Sequence, residues 1–175
     1  VIGVKYTTCR LLAEKVVNLV FHKMGRRGPV SRTAHTRLVG GEIDDWERFV
    51  SDMEESWAGR LLSGAVRHMA HCYGTRAGEV AALTQEDAAL AQLVPGSDEV
   101  IAAQVVHAVR AESAVRLADV VMRRTDLGSK GHPGRPALEF TARLMARELG
   151  WSDAHIRDEI AHTEQLFIFP PGVRP

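Results

Sequence analysis

From Cys9 onward, apolar side chains recur every three or four residues, the interval that gathers them on one face of an α-helix. Leu12, Val16, Leu19 and Val20 share such a face after Thr7-Thr8, either of whose hydroxyls can cap the helix. Trp46, Phe49, Val50, Met53 and Trp57 form a second stripe, and Leu62, Ala65, Val66, Met69 and Tyr73 a third that closes at Gly74. Shorter helical pieces are expected near 76–83 and 86–93, the second capped by Thr84, before "VPGSD" breaks the chain. The longest helix is expected over about 98–126, capped by Ser97 or Asp98 and stopped at Gly128. Pro136 then suits a first helical turn, Leu138, Ala142, Met145 and Leu149 line the buried side, and Gly150 ends that helix. Ser152 caps a last one carrying Ile156, Ile160 and Phe167. Two stretches break the pattern. Val1-Ile2-Gly3-Val4 reads as a strand, and residues 25–41, rich in Gly and Arg without a period, read as a linker. No second alternating strand follows Tyr6 unless the tail "LFIFPP" pairs. The expectation is an all-α, multi-helix bundle with a short N-terminal strand fragment.

A chain of 175 residues, 45% of them hydrophobic, can close one sizeable core. Lysine plus arginine and aspartate plus glutamate balance at 22 each, so no global field recruits nucleic acid or an anionic membrane. Two cysteines, Cys9 and Cys72, make no disulfide framework and fit a reducing, cytoplasmic setting. No run reaches the roughly 18 apolar residues of a membrane span.

Motifs that carry chemistry are sparse. No GxGxxG, GxSxG or P-loop occurs, so the chain brings no nucleotide cradle or nucleophile elbow of its own. His68, His71 and Cys72, in "HMAHC", are metal-ligand types, but His71 falls opposite the apolar stripe and no fourth ligand has a suitable spacing, so no metal is expected. Glu112–Arg116 and Asp119–Arg123 are two acid-to-base pairs at i,i+4, expected as a structural ladder on the long helix. The basic run 123–135 lacks interleaved aromatics and reads as a solvated turn, and Trp46, Trp57 and Trp151 read as core anchors.

The stretch "GVKYTTCRLLAEKVV" resembles the G-G-K-x-T-T-x-R-x-x-A-E segment that closes the FAD domain of FAD-dependent glycerol-3-phosphate dehydrogenases. "SRTAHTRLVGG", "HCYGTRAGEV", "VVHAVRAESAVRLADVVMRRTDLG", "GHPGRPALEF" and "LMARELGWS" then resemble, in the same order, the helical C-terminal domain of those enzymes. Departures are Val4 where the pattern has a second Gly, Cys9 where Tyr is frequent, and Arg37 and Val39 within the linker. The resemblance implies that residues 1–24 are the last strand and helix of a FAD domain, 25–41 a linker and 42–175 the all-helical C-terminal domain. The chain would be a truncated piece of an enzyme that oxidises sn-glycerol 3-phosphate to dihydroxyacetone phosphate and passes electrons to quinone, peripherally at the cytoplasmic membrane face.

In that full-length enzyme Gly3, Lys5, Thr7 and Thr8 would contact FAD, and Lys5 would also meet the substrate phosphate. A strand that turns into a helix aims unpaired N–H groups, with the positive end of the helix dipole, at whatever lies beyond. The piece alone would be non-catalytic and hold no cofactor, its partner being the missing FAD domain; a homodimer is left open. An autonomous helical protein-interaction module is the alternative reading.

Overall fold

The computed structural model describes residues 6–168; the strand expected at Val1–Val4 lies outside them. The chain forms two compact units, Val1–Gly41 and Glu42–Pro175. Among the described residues both are helical, and an isolated antiparallel bridge between Leu93 and Ile101 stands in place of a sheet.

In the first unit a 3-10 turn, Tyr6–Thr8, leads into helix α1, Cys9–Lys23. Thr8 occupies the N-cap position with φ −106° and ψ −4°, helical geometry instead of the extended backbone that a capping threonine adopts. Past Gly25, whose φ of +66° only glycine adopts readily, the chain folds back along the helix. Gly28 makes that return tight, since a Cβ there would lie 3.0 Å from the Phe21 ring. No residue of α1 is fully buried, and Leu11, Val17, Leu19 and Val20 are each about half exposed.

The second unit contains α2, Trp46–Ser56; α3, Ser63–Tyr73; α4, Ala77–Glu86; α5, Ala102–Glu112; α6, Leu117–Asp119; α7, Arg135–Leu149; and α8, Asp153–Gln165. Asp45 caps α2 by accepting from the Arg48 N–H at 3.1 Å, and Ser152 caps α8 by accepting from the His155 N–H at 3.2 Å. Pro136 sits in the first turn of α7 and Gly150, at φ +70°, closes it. Helix α5 is the axis of the core. Every residue from Ala102 to Ala108 is buried, so the first two turns of α5 have no solvent face, and α4, α7 and the 3-10 turn Ala88–Ala91 pack around the helix. Met69, Leu117, Leu138 and Met145 fill the space between helices with almost no exposure, each such side chain contributing roughly 1.5–3 kcal/mol.

The expected helix over 98–126 is instead two helices. Ser97 caps a turn, accepting from the Val100 N–H at 2.9 Å, and α5 begins only at Ala102, where the Gln104 carbonyl oxygen accepts from the Ile101 N–H at 3.0 Å. The chain leaves α5 at Ser113, which stands in the left-handed region at φ +59°. It restarts at Leu117, where Asp119 Oδ2 accepts from the N–H groups of Val115 and Arg116 and Glu159, on α8, accepts from the N–H of Leu117. Those carboxylates satisfy the donors that an interrupted helix exposes, which makes the break tolerable.

After α6 the backbone widens into a π-helical turn, Val120–Arg124, closed by Thr125, whose N–H and hydroxyl both donate to the Val120 carbonyl. The next 3-10 turn ends on Gly128, where a Cβ would fall 2.8 Å from the Val121 carbonyl oxygen. The short piece after α4 is a 3-10 turn, Ala88–Ala91. Asp87, not Thr84, caps it by accepting from the Ala89 N–H, while the Thr84 hydroxyl donates back to Ala81.

Candidate functional site

Thr7 and Thr8 lie exposed in the turn that opens α1; Gly3 and Lys5 lie outside the described residues. The second unit gathers its own polar groups elsewhere, on the side of α3 that faces α5 and the loop after the π-helical turn. His68 is 8% exposed, and its Nε2 lies 3.0 Å from Asp126 Oδ2 and 3.5 Å from Cys72 Sγ. The Gln104 amide nitrogen stands 3.4 Å from the other ring nitrogen, Nδ1. Because the Gln104 carbonyl oxygen is taken by the Ile101 N–H, its NH2 group faces Nδ1 and makes it an acceptor. The imidazole therefore carries its proton on Nε2 and donates it to Asp126, tying α3 to the 126–133 loop. Although the residue as a whole is exposed, partial burial of its sulfur beside His68 pushes the Cys72 thiol up to about 11, assisted by the negative charges of Asp126, Glu99 and Glu112, so Cys72 is protonated at neutral pH.

His71 of the same motif turns away and packs its ring 4.5 Å from Trp46. Among the tryptophans, Trp57 is buried in the core, whereas Trp46 and Trp151 are half-buried, Trp151 lying edge-on to His155. Asp126 also lines a cavity of about 430 Å³ between segments 95–100 and 126–133, to which Asp98, Glu99, Lys130 and His132 contribute.

A second buried polar group lies further along α3. Tyr73 meets His107 of α5 edge-on at 5.3 Å, and burial raises the tyrosine's pKa far above its ordinary value while lowering that of His107. Among the described residues, Tyr73 OH, Glu112 Oε2 and Thr141 Oγ1 are buried without a hydrogen-bond partner.

The expected ladder is half formed. Arg123 pairs with Asp119 at 3.1 Å, but the break at Ser113 takes Arg116 out of register with Glu112, and Arg116 pairs with the buried Glu159 at 2.5 Å. Within the basic run, Arg135 is held by Glu139 and Glu164, so much of the positive charge in 123–135 is internally neutralised. Glu159, Gln104 and Asp126 escaped the sequence reading because their partners lie 42, 36 and 58 residues away, where no local spacing points.

Residues 31–156 match the family described as the C-terminal domain of alpha-glycerophosphate oxidase. The chain belongs to that family. Relatives of the C-terminal domain family include the glycerol-3-phosphate dehydrogenase of Synechocystis sp., 30% identical over 91% of this chain and 29% of the relative. The probable mitochondrial glycerol-3-phosphate dehydrogenase of Dictyostelium discoideum is 31% identical over 94% of this chain and 25% of its own length. The mitochondrial glycerol-3-phosphate dehydrogenase of Bos taurus is 28% identical over 98% of this chain and 24% of its own length. The chain thus spans 24–29% of the length of these relatives. As a member of the C-terminal domain family it carries a helical fold, and no helix among its described residues is long and apolar enough to cross a membrane.

Proposed function

We propose that this chain is the C-terminal part of a FAD-dependent glycerol-3-phosphate dehydrogenase, with residues 1–24 completing the FAD domain, 25–41 serving as linker and 42–175 forming a helical domain that is not catalytic by itself. The observation that carries this reading is the span of the match, nearly all of this chain against about a quarter of the Dictyostelium relative. Helix α1 supports it independently, because Leu11, Val17, Leu19 and Val20 form half-exposed apolar surface suited to burial against a further domain.

The donor set at the start of α1 fits a flavin. The first-turn N–H groups of a 15-residue helix, with the exposed Thr7 hydroxyl beside them, offer hydrogen bonds and a positive dipole end to an anionic edge. In the full-length enzyme Gly3, Lys5, Thr7 and Thr8 would hold FAD, which supplies the two-electron acceptor for the alcohol carbon of glycerol 3-phosphate. The Lys5 ammonium meets the dianionic substrate phosphate as a compact point charge and orients the substrate. Electrons leave to quinone, with the enzyme peripheral at the cytoplasmic membrane face.

The test is Lys5→Met in the full-length enzyme. Leaving a desolvated phosphate without its partner costs of order 2–5 kcal/mol, so kcat/KM should fall at least about 30-fold, and less for glycerol than for glycerol 3-phosphate. Lys5→Arg should restore part of it, since a planar fork replaces a point charge imperfectly. Unchanged kinetics on both substrates with FAD fully bound would remove Lys5 from the site.

A further inference from the structure

His68 and Cys72 are four residues apart on α3, so their side chains project from one face of the helix one turn apart. Asp126 arrives from the loop beyond the π-helical turn, and the three ligand atoms His68 Nε2, Cys72 Sγ and an Asp126 carboxylate oxygen all lie within 4.8 Å of one another. A tetrahedral zinc ion with Zn–N near 2.0 Å and Zn–S near 2.3 Å places its nitrogen and sulfur ligands roughly 3.6 Å apart and its nitrogen and oxygen ligands roughly 3.3 Å apart. The protein holds the first pair at 3.5 Å and the second at 3.0 Å, and Asp126, whose side chain is 63% exposed, is free to widen the second. Three ligand-type side chains thus converge on one point, where the single Nε2 proton is given to Asp126 and the Cys72 sulfur is left with a long contact of 3.5 Å. Asp98 and Glu99 line the adjoining cavity together with Asp126. The cavity bordered by Asp126 and Glu99 gives a fourth ligand, water, a way in.

We infer that His68, Cys72 and Asp126 bind a divalent transition metal of the zinc type, with three protein ligands and one open position, pinning the 126–133 loop to α3. An imidazole, a thiolate and a carboxylate together select Zn²⁺ over the hard cations Mg²⁺ and Ca²⁺. On binding, the Cys72 thiol proton leaves to solvent and the imidazole proton moves from Nε2 to Nδ1. There it meets the Gln104 amide, which must turn its carbonyl oxygen toward the ring and release the Ile101 N–H. That rotation opposes binding and gives the site its signature. In Gln104→Glu one carboxylate oxygen accepts from Ile101 and the other from Nδ1–H, the carboxylate–histidine–metal arrangement that strengthens such sites.

The experiment titrates the 175-residue chain, in a Cys9→Ser background, with Co²⁺ and then Zn²⁺. The expected result is one equivalent of Co²⁺ with a thiolate-to-cobalt charge-transfer band, its displacement by Zn²⁺, and a melting midpoint raised by Zn²⁺. Cys72→Ser should abolish the band, and Asp126→Asn and Gln104→Glu should respectively weaken and tighten binding by roughly 10–100-fold. Both Cys72 and Asp126 are exposed, so neither substitution threatens the fold. Absence of a thiolate band, or equal affinity in Cys72→Ser or Asp126→Asn, overturns the site. A folded Gln104→Glu variant that binds no more tightly overturns coordination through Nε2.

Discussion

Replacing Glu159 by alanine should be among the most damaging single substitutions in the helical unit. The residue is 2% exposed, and its two carboxylate oxygens are divided between the Leu117 N–H at 2.8 Å and the Arg116 guanidinium at 2.5 Å. A hydrogen bond from a buried backbone N–H to a carboxylate contributes about 1.5–3 kcal/mol, and its loss also strands the donor. The Arg116 side chain is 50% exposed, so that ion pair adds only about 0.5–1 kcal/mol. Glu159→Ala should therefore cost about 2–4 kcal/mol. At roughly 3–4 °C per kcal/mol, the melting midpoint should fall by roughly 6–15 °C. Glu159→Gln keeps an acceptor for Leu117 and should lose less than half as much, while Arg116→Met, which removes only the exposed pair, should cost about 1 kcal/mol or less. Circular dichroism melts with urea titrations on the three variants measure the series. A Glu159→Ala loss below about 1 kcal/mol, or equal losses for Ala and Gln, would refute the claim that this carboxylate caps α6 from a neighbouring helix.

Other perturbations address separate parts of the account. Asp119→Ala removes the acceptor for two N–H groups at the helix restart and should cost about 1–2 kcal/mol, well above the few tenths expected of an exposed ion pair; a urea titration decides between them. Gly128→Ala forces a Cβ against the Val121 carbonyl and should cost roughly 1–3 kcal/mol in the same assay. His107, held below its ordinary pKa mainly by burial, binds its proton later in the folded chain than in the unfolded one. Its stabilisation is present above the unfolded value and falls as pH drops through about 6.5. His107→Phe should flatten the decline in melting midpoint between about pH 7 and pH 5. Cys72, its thiol pKa raised to about 11, should alkylate with iodoacetamide at least about 10-fold more slowly than an unperturbed thiol near neutral pH, a rate that mass spectrometry of the Cys72 peptide resolves.

Much of the helical unit was legible because its signals are local. The stripes that begin at Trp46 and Leu138, the serine before α8, the proline at the head of α7 and the glycine at its end each act within one or two turns, and each lies where the spacing put it. The division of the long helix was not legible. "AESAVRL" contains neither Gly nor Pro, and its Glu112–Arg116 spacing suggests continuity; what settles the break is a carboxylate on α8, 42 residues beyond the N–H it caps. The same holds for the site built on α3. "HMAHC" announced ligand-type residues, but Asp126 is 58 residues beyond His68, and Gln104, which sets the imidazole proton, resembles any other residue of a buried helix. Local chemistry writes helices and caps into a sequence; contacts between helices leave no spacing to read.

The central claim, that this chain is a helical domain whose redox chemistry resides in a FAD domain, is tested most directly by purifying the chain, refolding it with FAD and glycerol 3-phosphate, and recording flavin absorbance and dye reduction beside the full-length enzyme. The account predicts a colourless, inactive chain, because the phosphate-cradling turn of a dinucleotide fold does not occur in its sequence, and a yellow, active full-length enzyme. Stoichiometric flavin on the chain alone, or turnover of glycerol 3-phosphate by it, would contradict the account.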